Sequence, residues 1–565
     1  MARGKGLLGY LPFTRSLRSL LGGRTGGRRD PDWVPSNLRG QVYVDERHQT
    51  AYVNDALRQD MQTVQWLEDV RETHGLRLLH IEWVPLSVVS ARLTEAHLHA
   101  TSDDQDDANM RNRARDFLKW GRSIGATDIH IRVHARFAVV EVRLDGVLLA
   151  ADEITTEYAD RLMRALYGLC TSGDTTYRET VYQFGTISGD NLRGTGLVNV
   201  RVTRSPAAPI LDGGQVMAVR LQATKGSSRS RDLSAIKNLR PIKGPDVSLD
   251  LQRVGWTEMQ ADLLRTMVLS PTGTVYFTGP PGSGKTYAIH DMSAYLASVL
   301  PGMRQVFIEN PVELVSPWTV QLDIPNTLNG DEIGAAYAAY ARLALRLDTN
   351  YLTYGEILDA QVAASWLSSA EGGMSGMATL HTPDGFEVPS RLRDMDIERF
   401  KFTTTCNTSI ISGLVAQRMI PLLCDHCAVK WNAADDTRFP AGMVQAVSTW
   451  GSSMQNIRRK GAGCEHCTQT SYDGKPWLVA EVVDADETLM ADFIQYGTTI
   501  ARHRYRARSD ADTPMLDKAM ALVFEGRVDP FDVIRARVGR LRSRDGLLRE
   551  RERGQKAPDD MMERR

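Results

Sequence analysis

Apolar and polar residues alternate along several short runs in the first half of the chain. The runs Asp128 to Val133 and Ala138 to Leu144 alternate in this way, and so do Val198 to Val202 and Val216 to Leu221. Such alternation predicts half-buried strands. We therefore expect a mixed α+β module here, with a helix over Arg111 to Ser123 before its first strand.

The segment before this module has a weaker and more mixed pattern. We predict from it a small α/β module that carries no catalytic chemistry and serves for docking. Its expected elements are a strand at Gln41 to Val44, a helix over Asp55 to Arg71 and a strand at Leu76 to Val84. The acidic and polar stretch Thr101 to Asp107 is typical of a linker.

The second half of the chain has short, continuous apolar runs separated by helical patterns. Three of these runs, Thr274 to Phe277, Gln305 to Ile308 and Tyr351 to Tyr354, are expected to be buried strands. Strands that alternate with helices indicate a largely parallel sheet with helices on its faces, so we expect an α/β domain.

The first of these strands leads into the sequence GPPGSGKT at residues 279–286. This sequence matches a phosphate-binding loop between a strand and a helix. Its glycines let backbone N–H groups turn toward phosphate oxygens, its lysine reaches the β- and γ-phosphates, and its threonine ligates Mg²⁺. The residues expected to bind a nucleoside triphosphate are Gly279, Pro280, Pro281, Gly282, Ser283, Gly284, Lys285 and Thr286, with Thr286 as the Mg²⁺ ligand.

Glutamates follow the other two strands. Glu309 comes directly after one strand, and Glu356 follows Tyr354 and Gly355 at the end of the other. Ligands of open α/β sheets bind at the carboxyl ends of the strands, so both carboxylates are expected beside the phosphates. One acid can complete Mg²⁺ coordination through water, while the other positions or deprotonates the attacking water. Either acid can take either role at this point.

The composition of the 565 residues, 42% hydrophobic and 24% charged, is ordinary for a soluble globular protein. Lys and Arg (68) nearly balance Asp and Glu (69), which argues against nucleic acid as the main ligand. The sequence has no long apolar span and no clean signal-peptide core, so we expect a cytoplasmic protein. Residues 1–30 are basic and rich in glycine, which fits a disordered tail or an arm that contacts an anionic membrane surface or a partner.

Four of the six cysteines form two C-x-x-C pairs. Two such pairs are typical of a tetrahedral Zn²⁺ site, and four protein ligands leave no open position for catalysis. The expected ligands of this structural zinc are Cys424, Cys427, Cys464 and Cys467. The other two cysteines, Cys170 and Cys406, are expected in the core.

Further motifs extend over much of the chain. They are FIENPVEL at 307–314, LRLDTNYLTYGEILD at 345–359, GMATLHTPD at 376–384, RLRDMDIE at 391–398, LVAQRMIPLLCDHC at 414–427 and GCEHCTQTSYDG at 463–474. They resemble the Asp box, Walker B segment, His box and cysteine arms of the ATPases that power type II secretion and type IV pilus assembly. DIHI at 128–131 and VRLDG at 142–146 resemble the regulatory domain that precedes this motor. The resemblance covers residues from about 125 to 540.

The resemblance implies a RecA-like P-loop ATPase domain with a preceding α+β regulatory domain and a zinc-binding insertion. It implies that Glu309 and Glu356 are the catalytic and magnesium-associated acids, and that His381 acts as a sensor near the γ-phosphate. It also implies four arginines that reach the nucleotide, where a planar guanidinium can meet two phosphate oxygens at once. They are Arg201 and Arg220 of the preceding domain, and Arg342 and Arg346 of the helix before the Walker B strand.

The chain departs from the family pattern at several positions. Asn310 replaces an Asp of the Asp box, Tyr287 replaces a Thr after the Walker A motif, and Leu358 replaces an Arg of the Walker B segment. The family's D-P-D is here 348–350, DTN. Both acids are retained, so we expect activity in a divergent branch, such as a plasmid-encoded type IV pilus ATPase.

The expected organisation has eight parts. They are a basic flexible arm (1–30), an N-terminal α/β docking module (31–105), a PAS-like regulatory domain (106–223), a linker (224–249), a RecA-like ATPase core (250–420), a tetracysteine zinc module (421–480), a C-terminal helical region (481–540) and a charged tail (541–565).

We therefore predict an ATP-hydrolysing cytoplasmic motor, peripheral to the inner membrane, that powers assembly of a type IV pilus or a type II secretion pseudopilus. The resemblance implies a homohexamer that acts on an inner-membrane platform protein. Three alternatives stay open: a retraction or conjugative-transfer ATPase of the same superfamily, a nucleic-acid-associated ATPase, and a pseudo-ATPase that binds nucleotide as a scaffold. The cysteine pairs favour the assembly branch, and the single short basic run near them, Arg458 to Lys460, argues against nucleic acid.

Overall fold

The computed structural model describes residues 35, 38, 40–45, 50–58, 60–73, 80–90, 92, 103–174, 176–223, 231–245, 251–325, 328–433 and 436–555. The predicted arm at 1–30 and the last part of the predicted tail, 556–565, lie outside these residues. The chain divides into two compact units. The first holds the described residues up to Glu179, together with 183–204 and 217–240, and the second holds 180–182, 205–216 and the described residues from Pro241 onward.

The elements before residue 242 form two sheets and the helices that accompany them. The strands are β1 (Val42–Asp45), β2 (Thr50–Asn54), β3 (His80–Val84), β4 (Asp128–Val133), β5 (Ala138–Leu144), β6 (Val147–Ile154), β7 (Ser172–Gly173), β8 (Gln183–Ser188), β9 (Leu197–Pro206), β10 (Gln215–Ala223) and β11 (Arg240–Pro241). The helices are α1 (Met61–Thr73), α2 (Asp103–Ile124), α3 (Thr156–Gly168) and α4 (Leu233–Ile236). Strand β2 pairs antiparallel with β1 and parallel with β3 in a small sheet.

The larger sheet of the first unit has the order β11-β6-β5-β4-β10-β9-β8-β7. Its core buries Phe117 and Leu118 of α2 and Leu162 of α3 together with Ile129 and Ile131 of β4. The helices therefore pack against this sheet, in which β4, β5 and β6, and likewise β7, β8 and β9, are antiparallel neighbours, as expected for an α+β module.

The half-buried pattern predicted for Asp128 to Val133 is wrong, because all six residues of β4 are buried. Two of their polar side chains bind partners on the neighbouring strands β5 and β10. Arg132 donates to Glu141 at 3.0 Å, and Asp128 accepts from Arg220 at 2.7 Å. A buried strand with polar residues is stable when those residues are paired in this way.

Two segments predicted as linkers contain regular structure. Helix α2 begins at Asp103, so most of the stretch Thr101 to Asp107 is helical. Within 224–249, α4 and β11 are formed, and β11 is an edge strand of the larger sheet.

The second unit is built on a seven-stranded sheet with the order β14-β13-β15-β16-β12-β17-β20. Its strands are β12 (Thr274–Thr278), β13 (Gln305–Glu309), β14 (Val320–Asp323), β15 (Tyr351–Tyr354), β16 (Ser375–Leu380), β17 (Ile411–Leu423) and β20 (Tyr472–Asp484), while β18 (Val429–Lys430) and β19 (Arg458–Arg459) form a separate pair. Neighbouring strands run parallel except β17 and β20, which are antiparallel. This confirms the predicted, largely parallel sheet.

The helices of this part follow in chain order. They are α5 (Glu258–Val268), α6 (Lys285–Val299), α7 (Gly330–Ala344), α8 (Ala360–Glu371), α9 (Val388–Met395), α10 (Phe402–Thr405), α11 (Ala441–Ser448), α12 (Glu487–Arg506), α13 (Met515–Phe524), α14 (Pro530–Arg535) and α15 (Arg544–Gln555). Among the described residues, none of these helices or those before them is both long and apolar enough to cross a membrane.

Candidate active site and metal centre

The phosphate-binding loop lies between β12 and α6, as predicted. Gly279 has a φ of 150° and Gly284 a φ of 84°, and Gly284 is the N-cap of α6. A Cβ atom on Gly279 would lie 2.5 Å from Ser283 Oγ and 2.6 Å from the Gln417 carbonyl oxygen. Glycine is therefore required at 279 by both backbone conformation and space. The loop leaves the N-terminus of α6 open toward an anion.

Lys285 is the first residue of α6, and its side chain is buried against the loop. Its ammonium group donates to the carbonyl oxygens of Gly279 at 2.9 Å and Pro280 at 3.2 Å. Burial lowers the pKa of Lys285, and the negative charge of Glu356 opposes this shift. Thr286 follows in the same helical turn and is half-buried. The lysine and the threonine thus share the helix end that faces the loop.

Strand order brings the two predicted acids to one edge of the sheet. Glu309 is the last residue of β13, Glu356 follows β15, and these two strands are parallel neighbours. Gly355 packs directly on Glu309, because a Cβ atom on Gly355 would lie 3.1 Å from Glu309 Cγ. The fold therefore places the two acids at the ends of neighbouring strands, as predicted.

His381 links the Walker B acid to the phosphate-binding loop. It follows β16, the strand between β15 and β12, and its side chain is exposed at the edge of the sheet. Its Nδ1 atom lies 3.0 Å from the Gly279 carbonyl oxygen, and its Nε2 atom lies 2.6 Å from Glu356 Oε1. The imidazole therefore connects the loop that would hold the phosphates with an acid that would act on them.

Glu309 is buried in a polar shell that the sequence did not indicate. Gln321 of β14 donates to its Oε2 atom at 2.8 Å, and His290 of α6 places Nε2 at 3.6 Å from its Oε1 atom. His290 is held in turn by Ser316, whose Oγ atom lies 2.7 Å from Nδ1. Sequence analysis missed His290 because nothing in the chain relates a mid-helix histidine to a strand that follows it.

Strand β17 borders the loop on the other side and contributes two further residues that sequence analysis left without a role. The Gln417 amide donates to the Ser283 carbonyl oxygen at 2.8 Å. Arg418 donates to the Pro383 carbonyl oxygen at 2.7 Å, within the His box. Both lie in the quoted motif LVAQRM, so the signal was present in the sequence without an assignment.

The four predicted arginines lie in two places. Arg201 of β9 and Arg220 of β10 belong to the first unit and are exposed, with Arg220 bound to Asp128. Arg342 lies in the last turn of α7, and Arg346 follows that helix; both are exposed in the second unit. Their contact with a nucleotide stays a prediction.

The departures from the family pattern leave the acids in place. Asn310 donates to the Ile324 carbonyl oxygen at 2.8 Å. Tyr287 and Leu358 are 66% and 41% exposed, so neither fills space between the acids and the loop.

The four predicted zinc ligands converge. Their sulfur atoms all lie within 4.8 Å of one another, and the distances Cys424 to Cys464, Cys427 to Cys467 and Cys464 to Cys467 are 3.8, 3.8 and 3.6 Å. Ligands at about 2.3 Å from a central zinc in a tetrahedron are about 3.8 Å apart. The backbone N–H groups of Cys464 and Ser471 donate to Cys467 Sγ at 3.3 and 3.2 Å. This donor set fits a structural zinc ion.

The two cysteines outside this cluster behave as core residues. Cys406 is buried, and Cys170 is half-buried against the core of the first unit. Burial raises the pKa of both thiols to about 12. Neither thiol is activated as a nucleophile or a ligand.

The paired strands β17 and β20 connect the loop and the cysteines. They are antiparallel from Gly413 with Asp484 to Leu423 with Tyr472, and Cys424 continues from the end of β17. One strand thus carries Gln417 at the loop and a cysteine of the cluster a few residues later.

Comparisons with known proteins all lead to the same protein family. The family model described as "Type II/IV secretion system protein" matches residues 233–535. The chain is 27% identical over 388 residues to the type II secretion system protein E of Aeromonas hydrophila, covering 68% of each chain. It is 27% identical over 424 residues to the protein of the same name from Dickeya dadantii, covering 74% of each chain.

A third relative is named for pilus assembly. The type IV pilus assembly ATPase PilB of Thermus thermophilus is 27% identical over 241 residues, which are 42% of this chain and 25% of that protein. The matches confirm the predicted family of secretion and pilus ATPases, and the sheet with its loop confirms the RecA-like P-loop fold. With more than half of its residues matched by the family model, the chain belongs to the type II/IV secretion system protein family.

Proposed function

We propose that this protein is an ATP-hydrolysing motor that powers assembly of a type IV pilus or a type II secretion pseudopilus. The observation that carries the proposal is the bridge made by His381 between Gly279 of the phosphate-binding loop and Glu356. A residue so placed can report on the γ-phosphate to a catalytic acid. The names of the relatives support secretion or pilus assembly as the work that hydrolysis drives.

The surroundings of Glu356 and Glu309 support a different role in hydrolysis for each acid. Glu356 contacts His381, which also contacts the Gly279 carbonyl oxygen, and its negative charge opposes the pKa shift of Lys285, so it lies on the phosphate side of the site. Glu309 is buried and held by Gln321 and His290. We assign Glu356 to the magnesium side, through water, and Glu309 to the attacking water as its positioning group or base.

The remaining residues of the site hold and orient the nucleotide. The loop N–H groups and Lys285 bind the β- and γ-phosphates, and Thr286 is the residue that would hold Mg²⁺. When bound, Mg²⁺ neutralises charge that develops on the phosphate oxygens. Lys285 must leave the carbonyl oxygens of Gly279 and Pro280 to reach a phosphate.

We further propose that the motor is a homohexamer, in which Arg201, Arg220, Arg342 and Arg346 reach the nucleotide across domain or subunit boundaries. Their exposure supports this role, because an arginine that serves a neighbouring active site has to be on the surface. Hydrolysis would then depend on the position of the neighbour, which converts chemistry into motion.

The expected partner is a platform protein of the inner membrane, with the motor on the cytoplasmic side. The four cysteines would hold one structural zinc ion, because four protein ligands leave no position for a substrate. The zinc module is therefore proposed as a structural part of the motor.

The test is ATP turnover by the purified full-length protein and by Glu356→Gln and Glu309→Gln variants. Both substitutions keep the size of the side chain and remove the charge, so we expect losses of about 10²-fold or more in kcat. Glu371→Gln, an exposed acid at the end of α8, is the matched control and should keep wild-type turnover.

Single-turnover kinetics at varied Mg²⁺ separate the two acids. Glu356→Gln should raise the Mg²⁺ concentration needed for half-maximal rate, whereas Glu309→Gln should lower the rate at saturating Mg²⁺. Wild-type turnover in either variant, or absence of turnover in the wild-type oligomer, would overturn the proposal. The pilus or secretion role is tested by loss of surface assembly in cells that carry the inactive variants.

A further inference from the structure

A cavity in the second unit lies beside the site described above, and Arg418 belongs to both. Its volume is about 390 Å³, and it lies between the turn after the His box, helix α12 and the C-terminal segment that leads into α15. Six arginines and four carboxylates contribute to its lining. The arginines are Arg418, Arg502, Arg506, Arg537, Arg540 and Arg542. The lining thus has an excess of positive charge.

Half of these arginines are ion-paired within the lining. Arg502 and Arg506 of α12 meet Asp384 at 3.4 and 3.2 Å, and Arg542 meets Glu550 at 2.7 Å. These pairs fix the walls of the cavity and leave little charge for a ligand.

The other half are not paired with acids. In the part of the chain that the structure describes, Arg418, Arg537 and Arg540 have no carboxylate within ion-pair distance. Arg418 is 3% exposed, and its guanidinium donates to the carbonyl oxygens of Gln417, Pro383 and Arg537 at 2.8, 2.7 and 3.1 Å. Burial lowers the pKa of Arg418; the negative charge of Asp384 opposes this shift, and the positive charge of Arg537 adds to it. A buried charge without a direct ion pair is costly.

We propose that this cavity binds a phosphate-bearing anion through Arg418, Arg537 and Arg540. Guanidinium groups match phosphate oxygens with two parallel hydrogen bonds, and three of them in the lining of one cavity favour a ligand with at least two negative charges. The volume lies within the range of about 300–1,000 Å³ that small-molecule sites occupy. The ligand supplies the negative charge that the three arginines lack.

The site is physically connected to the nucleotide site. Arg418 holds the Pro383 carbonyl oxygen two residues after His381, and its neighbour Gln417 holds the Ser283 carbonyl oxygen of the loop. An anion on Arg418 therefore acts on the two segments that flank the phosphates. The binding itself does not depend on the proposed motor function, so it is tested without hydrolysis.

The test is calorimetric titration of the full-length protein with pyrophosphate, in a Lys285→Ala background that weakens binding at the phosphate-binding loop. We expect one equivalent to bind. Combining Arg537→Asn with Arg540→Ala should weaken that binding roughly tenfold or more. Asn is chosen at 537 because Arg537 has a positive φ of 53°, which Asn tolerates.

Arg549→Ala is the matched control. Arg549 is an exposed arginine of α15 that does not line the cavity, so pyrophosphate binding should be unchanged. Thermal unfolding of each variant verifies that it is folded. Equal pyrophosphate binding in the parent and the double variant would overturn the proposal, as would absence of binding by both pyrophosphate and anionic vesicles.

A vesicle arm distinguishes a soluble phosphate compound from a lipid headgroup. Cosedimentation with phosphatidylcholine vesicles is compared with and without phosphatidic acid. Binding to phosphatidic acid that is lost in the double variant and displaced by pyrophosphate supports a headgroup in the cavity. Pyrophosphate binding that requires the arginines, without such vesicle binding, supports a soluble ligand in the same cavity.

Discussion

The phosphate-binding site and the cysteine cluster are built in opposite ways. The first gathers Glu309, Glu356 and His381 from three strand ends and Lys285 from the start of helix α6, and its contacts include an exposed histidine. The second gathers two C-x-x-C pairs at one end of the ribbon formed by β17 and β20. The first arrangement can change when a ligand enters, while the second is closed by its own four ligands.

The two sites share the ribbon formed by β17 and β20. The ribbon carries the closed site at its end and borders the open site along its length, where Gln417 holds Ser283. A zinc ion held by the four cysteines, as proposed above, would fix the strand against which the phosphate-binding loop is positioned. The two sites should then differ in what their loss affects: chemistry for the loop, and stability for the cysteines.

The largest effect is expected from Lys285→Ala. Loss of the ammonium group removes charge stabilisation at the transferred phosphate, so ATP hydrolysis should fall by about 10²- to 10³-fold. Zinc content and unfolding temperature should stay at wild-type values. Lys475→Ala, an exposed lysine on β20, serves as the control. A large drop in unfolding temperature with Lys285→Ala would contradict the separation of the two sites.

Loss of the metal site should lower stability strongly and turnover less, the reverse of what is expected for Lys285→Ala. Cys464→Ser should abolish binding of the one zinc ion expected per chain and lower the unfolding temperature by roughly 10 °C, because metal binding energy is folding energy in such sites. Turnover by the folded fraction should fall less than with Lys285→Ala. Metal analysis and calorimetry measure both effects, with Cys170→Ser as the control outside the cluster. Full zinc content in Cys464→Ser would exclude this metal site.

A smaller effect is expected from His290→Phe. The substitution keeps a ring beside Phe307 and removes the groups that face Glu309 and Ser316. Glu309 would lose a polar neighbour in a buried position, and kcat should fall about tenfold. His290→Gln, which retains a donor, should recover part of the loss. Unchanged kcat in His290→Phe would show that His290 does not position Glu309.

The smallest effect is expected from Gln417→Ala, which removes one hydrogen bond to the loop. A loss of about 1 kcal/mol corresponds to about a fivefold rise in KM for ATP. Combined with Cys464→Ser in a double-mutant cycle, it measures whether the ribbon couples the two sites, and we expect a coupling energy of at least about 0.5 kcal/mol. Strict additivity would mean that the sites are independent.

Much of the catalytic framework follows from sequence because its signals are local. The strand Tyr351–Tyr354 was predicted with its observed bounds, and Gln305 to Ile308 within one residue, since short apolar runs end where glycine or an acid begins. The cysteine cluster could also be predicted from the sequence, because its ligands occur in two C-x-x-C pairs. Such features depend on neighbours in the chain.

The parts that sequence did not reveal depend on partners far apart in the chain. Burial of Asp128 and Arg132 requires Arg220 and Glu141, which only the folded sheet brings to them. Likewise, the role of His290 depends on the position of β13 next to α6. Long-range pairing of polar groups has no periodic signature, so a pattern of apolar residues cannot predict it.

The two contacts of His381, with Gly279 and with Glu356, also determine where hydrogen atoms must lie. A carbonyl oxygen only accepts hydrogen bonds, so Nδ1 must carry a hydrogen to bind Gly279. A neutral imidazole with that hydrogen presents a lone pair at Nε2, which would repel the Glu356 carboxylate at 2.6 Å. The closed bridge therefore needs a hydrogen in each of its two contacts, one between Nδ1 and the Gly279 carbonyl oxygen and one between Nε2 and Glu356.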